Sequence, residues 1–507
     1  MRFFQIHKLF LIFTLGYFIF AFATYKDFGI SADEPEQYTN GKIFLHYLQG
    51  TLTQEENVEM TKIIETPYNR YYTALLALIN YKDYYEWYHL LNFITGYAAF
   101  LLVYLLGLRL FGTPAKAVVA PIILALYPSF LGHIPINTKD IPFASVFLLS
   151  VYVGTYVVDK QRGARLSAKN LLLSALFGLA VGLTASFRAI GFSVLAMLIY
   201  TPILYKKKLH FLLIHALIIA VCGYAALYVS YPLIQKEPIQ GVVHYFKESA
   251  SFGNWHNLLF IDGNFYTKEQ RSLSYLPVYL LRTTPDFILV LFSAGSMFIG
   301  YRLVKNRDRG VILLGLIAFL VVVNFLLYFA LNPVIYNSVR HYLFVMPLIS
   351  LVCAFGLDCI LSLAKTKAAK AAIYVTLLGV TVLYVRSYIQ LHPYEYTFYN
   401  FVSGGLINNY QNYDSDYWSI SYKEASQQLV SYLRTTGLTN KKVYPCTNSA
   451  AAAYYSSGMY TVTGDQQTTD FIVCDYVNNL LEKPEPKLQL LGTVTRSGVP
   501  LNYIYAK

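Results

Sequence analysis

Charge is scarce in this sequence. Of 507 residues only 13% are Asp, Glu, Lys or Arg, whereas 56% are hydrophobic and 17% aromatic. About a quarter of an ordinary soluble domain is charged, so a soluble globular fold is excluded and a polytopic membrane protein is expected. Gly-rich nucleotide fingerprints, metal-spaced Cys/His sets and internal repeats are all missing. Cysteine is also sparse, at five. Cys222, Cys353 and Cys359 fall in apolar runs and read as packing residues. Cys446 and Cys474 fall in a polar tail, where an oxidising compartment would permit a bridge between them. Whether their two strands are neighbours is open, and the bridge with it.

What fills the chain instead is long apolar runs. A span needs about 20 such residues, and about eleven runs meet that description. They begin near residues 9, 86, 115, 141, 170, 189, 209, 285, 311, 341 and 371. The first, Leu9 to Thr24, follows Arg2 and Lys8 but lacks a small-residue cleavage site, so it reads as an uncleaved first helix. The net charge of +12 does not point to nucleic acid, because the cations are distributed by membrane side. Arg109 to Lys116, Lys160 to Lys169, Lys206 to Lys208, Lys305 to Arg309 and Lys365 to Lys370 all fall on the N-terminal side, which is cytoplasmic by the positive-inside rule. The alternate loops 25–84, 132–141, 232–284 and 332–341 then face outward, and an odd number of spans leaves the C-terminus outside.

Residues 1–388 form the membrane domain in this reading, and 389–507 a small extracytoplasmic α/β domain. In the first outer loop Pro35 opens a helix whose Ile43, Phe44, Tyr47 and Leu48 recur at helical spacing. This helix either lies in the membrane interface or packs as an ordinary loop helix. The loop before residue 285 is long, rich in turn formers and aromatics, and carries Trp255 and His256. In the tail, Lys423 to Thr436 has helical spacing, Lys442 to Cys446 and Asp470 to Cys474 read as strands, and Leu488 to Val494 with Leu501 to Tyr505 reads as a hairpin.

The chemistry gathers on the outer face. Asp33 and Glu34 sit just past the first span, where an acid pair loses solvation unless a cation opposes the effect. On the same side, the short segment His133 to Pro142 contains Asn137, Lys139 and Asp140 between two prolines. Folding a short loop does not require that set, although capping and solvating a helix end would explain Lys139 and Asp140 taken alone. Lys139 suits a phosphate; Asp140 suits a metal, a sugar hydroxyl or Arg188. Arg188 lies in a connection too short to reach far into water. Arg340 and His341 follow Asn332, Pro333, Tyr336 and Asn337, which makes a cationic patch suited to a phosphate. Arg282 reads as a snorkelling residue at a helix entrance. Carboxylates ringed by cations suit transfer from a phosphate-linked donor, with the acid taking the acceptor's proton and the cations stabilising the leaving phosphate. Outside the cytoplasm such a donor must be carried by a lipid.

With these residues in place, the chain resembles the C-type membrane glycosyltransferases, and more closely the bacterial type of the protein O-mannosyltransferase-like family (glycosyltransferase family 39). The resemblance rests on Asp33-Glu34, on His133 to Pro142, on Arg340-His341, and on His392 to Tyr396 followed by Tyr399-Asn400, Gly404-Gly405 and Asp416-Tyr417-Trp418. It implies Asp33 as catalytic base, Glu34 as its electrostatic partner or an acceptor ligand, and Asp140 as a second acid. It also implies Lys139, Arg188, Arg340 and His341 toward the donor phosphate, with His133, Asn137, Trp255 and His256 as acceptor or loop contacts. The donor implied is a polyprenyl-phosphate sugar; some members bind a divalent cation, and metal ligands here are unassigned. The expected activity is inverting transfer of a sugar to a protein, lipid or envelope glycan outside the inner membrane. A transporter or lipid flippase is the competing class, but carriers place charge in broken helices at mid-membrane, whereas the apolar runs here are nearly free of charge.

Overall fold

A computed structural model describes residues 2–79, 84–161, 167–205, 209–251, 258–305, 308–482 and 488–507. Among these residues, nine helices are long and apolar enough to cross a membrane. They are Phe4–Thr24, Glu86–Phe111, Asp140–Asp159, Ala168–Phe187, Leu213–Ser230, Asp286–Lys305, Arg309–Leu331, Arg340–Leu363 and Lys367–Leu391. The chain is therefore a multi-pass membrane protein. Two of the eleven expected runs form shorter apolar helices, Pro114–Ala125 and Ala189–Tyr200. The first is broken into two pieces, Pro114–Ala117 and Val119–Ala125, and Pro128 follows; the second starts as a 3₁₀ turn, Ala189–Leu195. Apolar composition had marked both runs, but proline and 3₁₀ geometry shorten the regular helix.

The long helices carry charge almost entirely at their ends. Helix Asp140–Gln161 begins at Asp140 and ends beyond Asp159, which pairs with Arg109 and Arg309 at the far end of two other helices. Lys116 pairs with Asp358 at the same end, 2.8 Å away. At 1.5 Å per residue the two ends of that helix lie about 30 Å apart, so one polar cluster sits at each end of the bundle.

The first loop is not an open strap. Glu34–Gln49, Gln54–Glu65 and Arg70–Ile79 are helices, and the second opens on a capping box between Thr53 and Glu56. Ile43 and Phe44 are buried against Met60, Ile63, Ile64 and Ala74. The apolar face of the Glu34–Gln49 helix is thus largely covered by its neighbours rather than laid bare for an interface, and only Leu48 stays exposed. The long loop before residue 285 also holds more structure than its turn formers suggested. It contains helices Pro232–Lys236, Gln240–Ser251 and Tyr275–Thr283, and a two-stranded hairpin, β1 (Leu259–Ile261) and β2 (Asn264–Tyr266). Asp262 and Gly263 both have positive φ (51° and 72°), the geometry of a tight two-residue hairpin turn.

The tail forms a mixed five-stranded sheet from β3 (Lys441–Pro445), β4 (Tyr460–Val462), β5 (Phe471–Asp475), β6 (Gln489–Arg496) and β7 (Val499–Ala506), in the order β4-β3-β5-β7-β6. β3 pairs in parallel with β4 and β5, while β7 runs antiparallel to β5 and β6. Helix Tyr422–Thr436 covers it with Ala425, Leu429 and Leu433 buried. Adjacency of β3 and β5 joins Cys446 and Cys474 in a disulfide, with their Cα atoms 5.0 Å apart. Between the last long helix and this sheet, residues 392–420 pack back onto the ends of the membrane helices that lie near Asp33. Tyr394, Tyr396, Trp418 and Ile420 are all buried there.

Candidate functional site

Asp33 stands at the N-cap position of helix Glu34–Gln49, a place where Asp ordinarily accepts from the helix's own N–H groups. It does not do so here. Its Oδ2 instead faces Lys139 Nζ at 3.4 Å and Arg340 Nη1 at 3.3 Å, and about a quarter of the side chain is exposed. Burial pushes the carboxyl's proton affinity up, but Lys139 and Arg340 more than offset it and hold the pKa down at about 2. The turn before it is pinned from several sides. Ser31 Oγ donates to the Ile136 carbonyl (3.0 Å), Ala32 N to the Trp418 carbonyl (3.0 Å), and Asn448 Nδ2 to the Ile30 carbonyl (2.9 Å). Gly29 allows this approach, since a Cβ there would collide with the backbone carbonyl of Ile420.

The segment from His133 to Asp140 supplies the opposite wall. Asn137 Oδ1 accepts from the backbone N–H of Lys139 (3.1 Å) and of Asp140 (2.8 Å), so the Asn side chain shapes the start of the next helix. Its Nδ2 donates to Asp140 Oδ2 (2.9 Å). The other oxygen of Asp140 pairs with Arg188, and Asp140 is almost wholly buried. Arg188 is placed by its position just past helix Ala168–Phe187, where the backbone turns extended. Lys139 also lies 5.8 Å over the ring of Tyr68, whose hydroxyl donates to the Thr138 carbonyl (2.9 Å).

Arg340 comes from a connection containing Asn337 and Ser338 at φ 54° and 61°. A serine in the left-handed region carries local strain; its N–H is tied to the Tyr275 hydroxyl (3.0 Å). The Arg340 guanidinium is sandwiched between Tyr336 and Trp418, each centroid 4.6 Å away. His341 packs edge-on to Tyr336 at 4.7 Å. Arg188 Nε, Arg340 Nε and His341 Nε2 are buried and make no hydrogen bond within the described residues.

His133 Nδ1 donates to the Ser129 carbonyl, leaving Nε2 to accept from Tyr417 (3.1 Å). Burial drives its pKa down to about 4, so the ring is neutral around pH 7. It sits among Tyr396, Tyr417 and Trp418, and a Cβ at the preceding Gly132 would strike the Tyr396 backbone.

Asp33, Lys139, Asp140, Arg188, Arg340 and Asn137 therefore form one connected set, with His133 and His341 on its border. Three cations against two carboxylates leave this set electropositive. Glu34 is not brought into it: the residue is fully buried and its carboxylate turns inward, to Ser31 N and His89. Adjacent residues at a helix start point about 100° apart, which is why one of the two acids faces the cations and the other faces the protein. Trp255 and His256 lie outside the described residues. Arg282 does more than snorkel: it donates to Asn409 Oδ1 (2.9 Å) and stacks over Tyr413 at 4.4 Å. Tyr68 is a part of the site that sequence reasoning missed, and Tyr336, named there beside the cationic patch, proves to stack on Arg340. Their signal was present as aromatics set among polar residues, in Tyr68-Asn69-Arg70 and Tyr336-Asn337.

No group of three His, Cys, Asp or Glu side chains able to hold a metal ion occurs among the described residues. Asp33 and Asp140 are each already countered by cations, so the residues at this site do not fit a divalent ion.

Among curated proteins none matches this sequence. Solved structures similar to the chain include ArnT from Cupriavidus metallidurans bound to undecaprenyl phosphate, at 11% identity and TM-score 0.49, covering 98% of each chain. They also include the archaeal oligosaccharyltransferase AglB from Archaeoglobus fulgidus, in complex with an inhibitory peptide and a dolichol-phosphate. That match has 11% identity and TM-score 0.45, and covers 81% of this chain and 61% of the other. Residues 65–224 match the family model described as dolichyl-phosphate-mannose-protein mannosyltransferase. The matched stretch, about a third of the chain, includes Tyr68, the whole His133 to Asp140 segment and Arg188, and the similarity over it agrees with the resemblance.

Proposed function

We propose that this protein is an inverting glycosyltransferase that moves one sugar from a polyprenyl-phosphate donor to an acceptor on the outer face of a bacterial inner membrane. In this reading the membrane domain spans residues 1–388 with eleven crossings, two of them by the shorter apolar helices. Its N-terminus is cytoplasmic, and residues 389–507 lie outside. The observation that carries the reading is the pairing of a part-exposed Asp33 with two cations whose other sides border an electropositive set.

A carboxylate held at about 2 is a weak base in the resting site. A donor phosphate changes that. Lys139 and Arg340, when drawn to phosphate oxygens, no longer lower the proton affinity of Asp33 fully, and the phosphate's own charge raises it further. Donor binding thereby readies Asp33 to take the proton of the acceptor hydroxyl or amine as that atom attacks the anomeric carbon. The bond from carbon to phosphate oxygen breaks on the opposite face, and the leaving phosphate stays on Lys139, Arg340 and Arg188. Asp140, locked by Asn137 and Arg188, holds Arg188 in place rather than acting as a second base. A single displacement inverts the anomeric centre.

The test uses purified protein, polyprenyl-phosphate sugars and an envelope extract as acceptor, and follows release of polyprenyl phosphate. Asp33→Asn is expected to lower turnover by about 10³-fold while leaving the protein folded. Undiminished turnover in this variant overturns the mechanism. Uptake of lipid-linked sugar into reconstituted vesicles without any transfer would instead favour the carrier class.

A further inference from the structure

Glu34 follows Asp33 directly in the chain and pairs with His89, and the transfer chemistry has no use for either. Both are essentially sealed from solvent, at 0% and 1% side-chain exposure. His89 Nδ1 lies 3.1 Å from the carbonyl oxygen of Tyr25, an atom that only accepts, so the ring proton sits on Nδ1. Its Nε2 stands 3.1 Å from Glu34 Oε1, at an angle too poor for an aligned hydrogen bond. The two side chains face each other across that gap, both sealed from solvent.

The other oxygen of Glu34 accepts from Ser31 N at 2.6 Å, which closes the turn Ser31–Glu34 from the inside while Asp33 projects from its outer corner. Three residues along the same helix face, Asn92 Nδ2 donates to the Pro135 carbonyl at 3.0 Å, holding the segment that ends in Lys139. Residues three apart on a helix are neighbours. One face of helix Glu86–Phe111 therefore fixes both halves of the Asp33–Lys139 contact: Asn92 holds the lysine's loop directly, and His89 holds the aspartate's turn through Glu34.

We propose that His89, acting through Glu34, is a positioning residue that sets the Asp33 carboxylate against Lys139 and Arg340. The proposal rests on the reading of Asp33 given above and adds to it a residue whose own ring touches no reacting atom. Removing the imidazole leaves a buried carboxylate without its partner and frees the turn; a misplacement near 1 Å costs about 10²-fold in rate.

The test compares His89→Leu with His89→Gln, whose amide donates to Glu34 from nearly the same place, and with Glu34→Gln, which keeps the Ser31 bond and donates to a neutral His89. Turnover, donor KM and the thermal midpoint are measured for each purified protein. His89→Leu is expected to lose about 10- to 100-fold in kcat with donor KM within about 3-fold, since the phosphate cations stay in place. His89→Gln recovers most of that loss, and Glu34→Gln loses less than about 10-fold. If His89→Leu does not fold, the two amide variants decide. Wild-type kcat in His89→Leu, or a Glu34→Gln or His89→Gln as inactive as Asp33→Asn, overturns the proposal. Activity retained in Asp33→Asn overturns the underlying reading instead, so the two failures are distinguishable.

Discussion

Asp33 and Asp416 face the same cost and resolve it in opposite ways. Burial pushes the proton affinity of both upward. Asp416 is met by neutral donors, the Tyr396 hydroxyl and the backbone N–H of Ile420 (3.2 Å) and Ser421 (3.0 Å), and its pKa stays raised at about 7. Asp414, bonded to the Tyr279 hydroxyl at 3.1 Å, is likewise raised to about 7. Asp33 is met by two full positive charges and falls to about 2. Hydrogen bonds from neutral groups satisfy a buried carboxylate without fully compensating its charge, whereas cations compensate it. The junction acids are thus suited to bracing the residues 392–420 against the membrane helices. Asp33 is suited to an exchange in which its cations are lent to another anion.

The largest effect that probes this contrast is loss of the Asp33 carboxylate, for which a turnover drop of about 10³-fold is expected; a variant at either junction acid that did the same without unfolding would erase the distinction. Next comes Lys139→Met. One of the two compensating charges disappears, so the Asp33 pKa should rise from about 2, readable by NMR of labelled carboxyls, and binding of polyprenyl phosphate should weaken about 10- to 100-fold.

A smaller effect concerns stability against pH. Asp414 and Asp416 have folded pKa values raised from 3.8 to about 7, so their protonated forms stabilise the fold below about pH 4 and that contribution is lost as pH rises through 7. Asp33, lowered from 3.8, contributes above about pH 4 and loses it as pH falls through 2. The thermal midpoint of Asp414→Asn in detergent should therefore depend less on pH between 4 and 7 than that of the wild type, while Asp33→Asn should leave that window unchanged. The smallest expected effect is at His133, lowered from 6.5 to about 4. Its neutral form contributes stability above pH 6.5 that is lost as pH falls toward 4, and His133→Gln should flatten that limb in the same melting series.

Much of the site could be read from sequence because it violates a local expectation. Asn137, Lys139 and Asp140 crowd a short connection between apolar runs, and Arg188 interrupts another; no helix end needs so many. Capping nevertheless explained part of it: Asn137 does shape the start of its helix, and by doing so aims both neighbours. The division of labour between Asp33 and Glu34 was not legible, because it depends on His89, which sits in the first turn of an apolar helix and shares no pattern with them. The sandwich around Arg340 was half legible. Tyr336 precedes it closely in the chain, but Trp418 arrives from the tail, and nothing local in either segment announces the contact. The spans were legible as apolar runs, while their number was blurred by runs that proline or 3₁₀ geometry shortens.

The tie between Asn448 and Ile30 joins residues 418 positions apart, and it has a consequence for how the protein comes into being. The turn that presents Asp33 is made well before Trp418, Ile420 and Asn448, which grip it. Contacts so distant along a chain form late. A half-made copy accordingly holds the Asp33 turn without a seat, and its full set of contacts closes only when the later segment has folded.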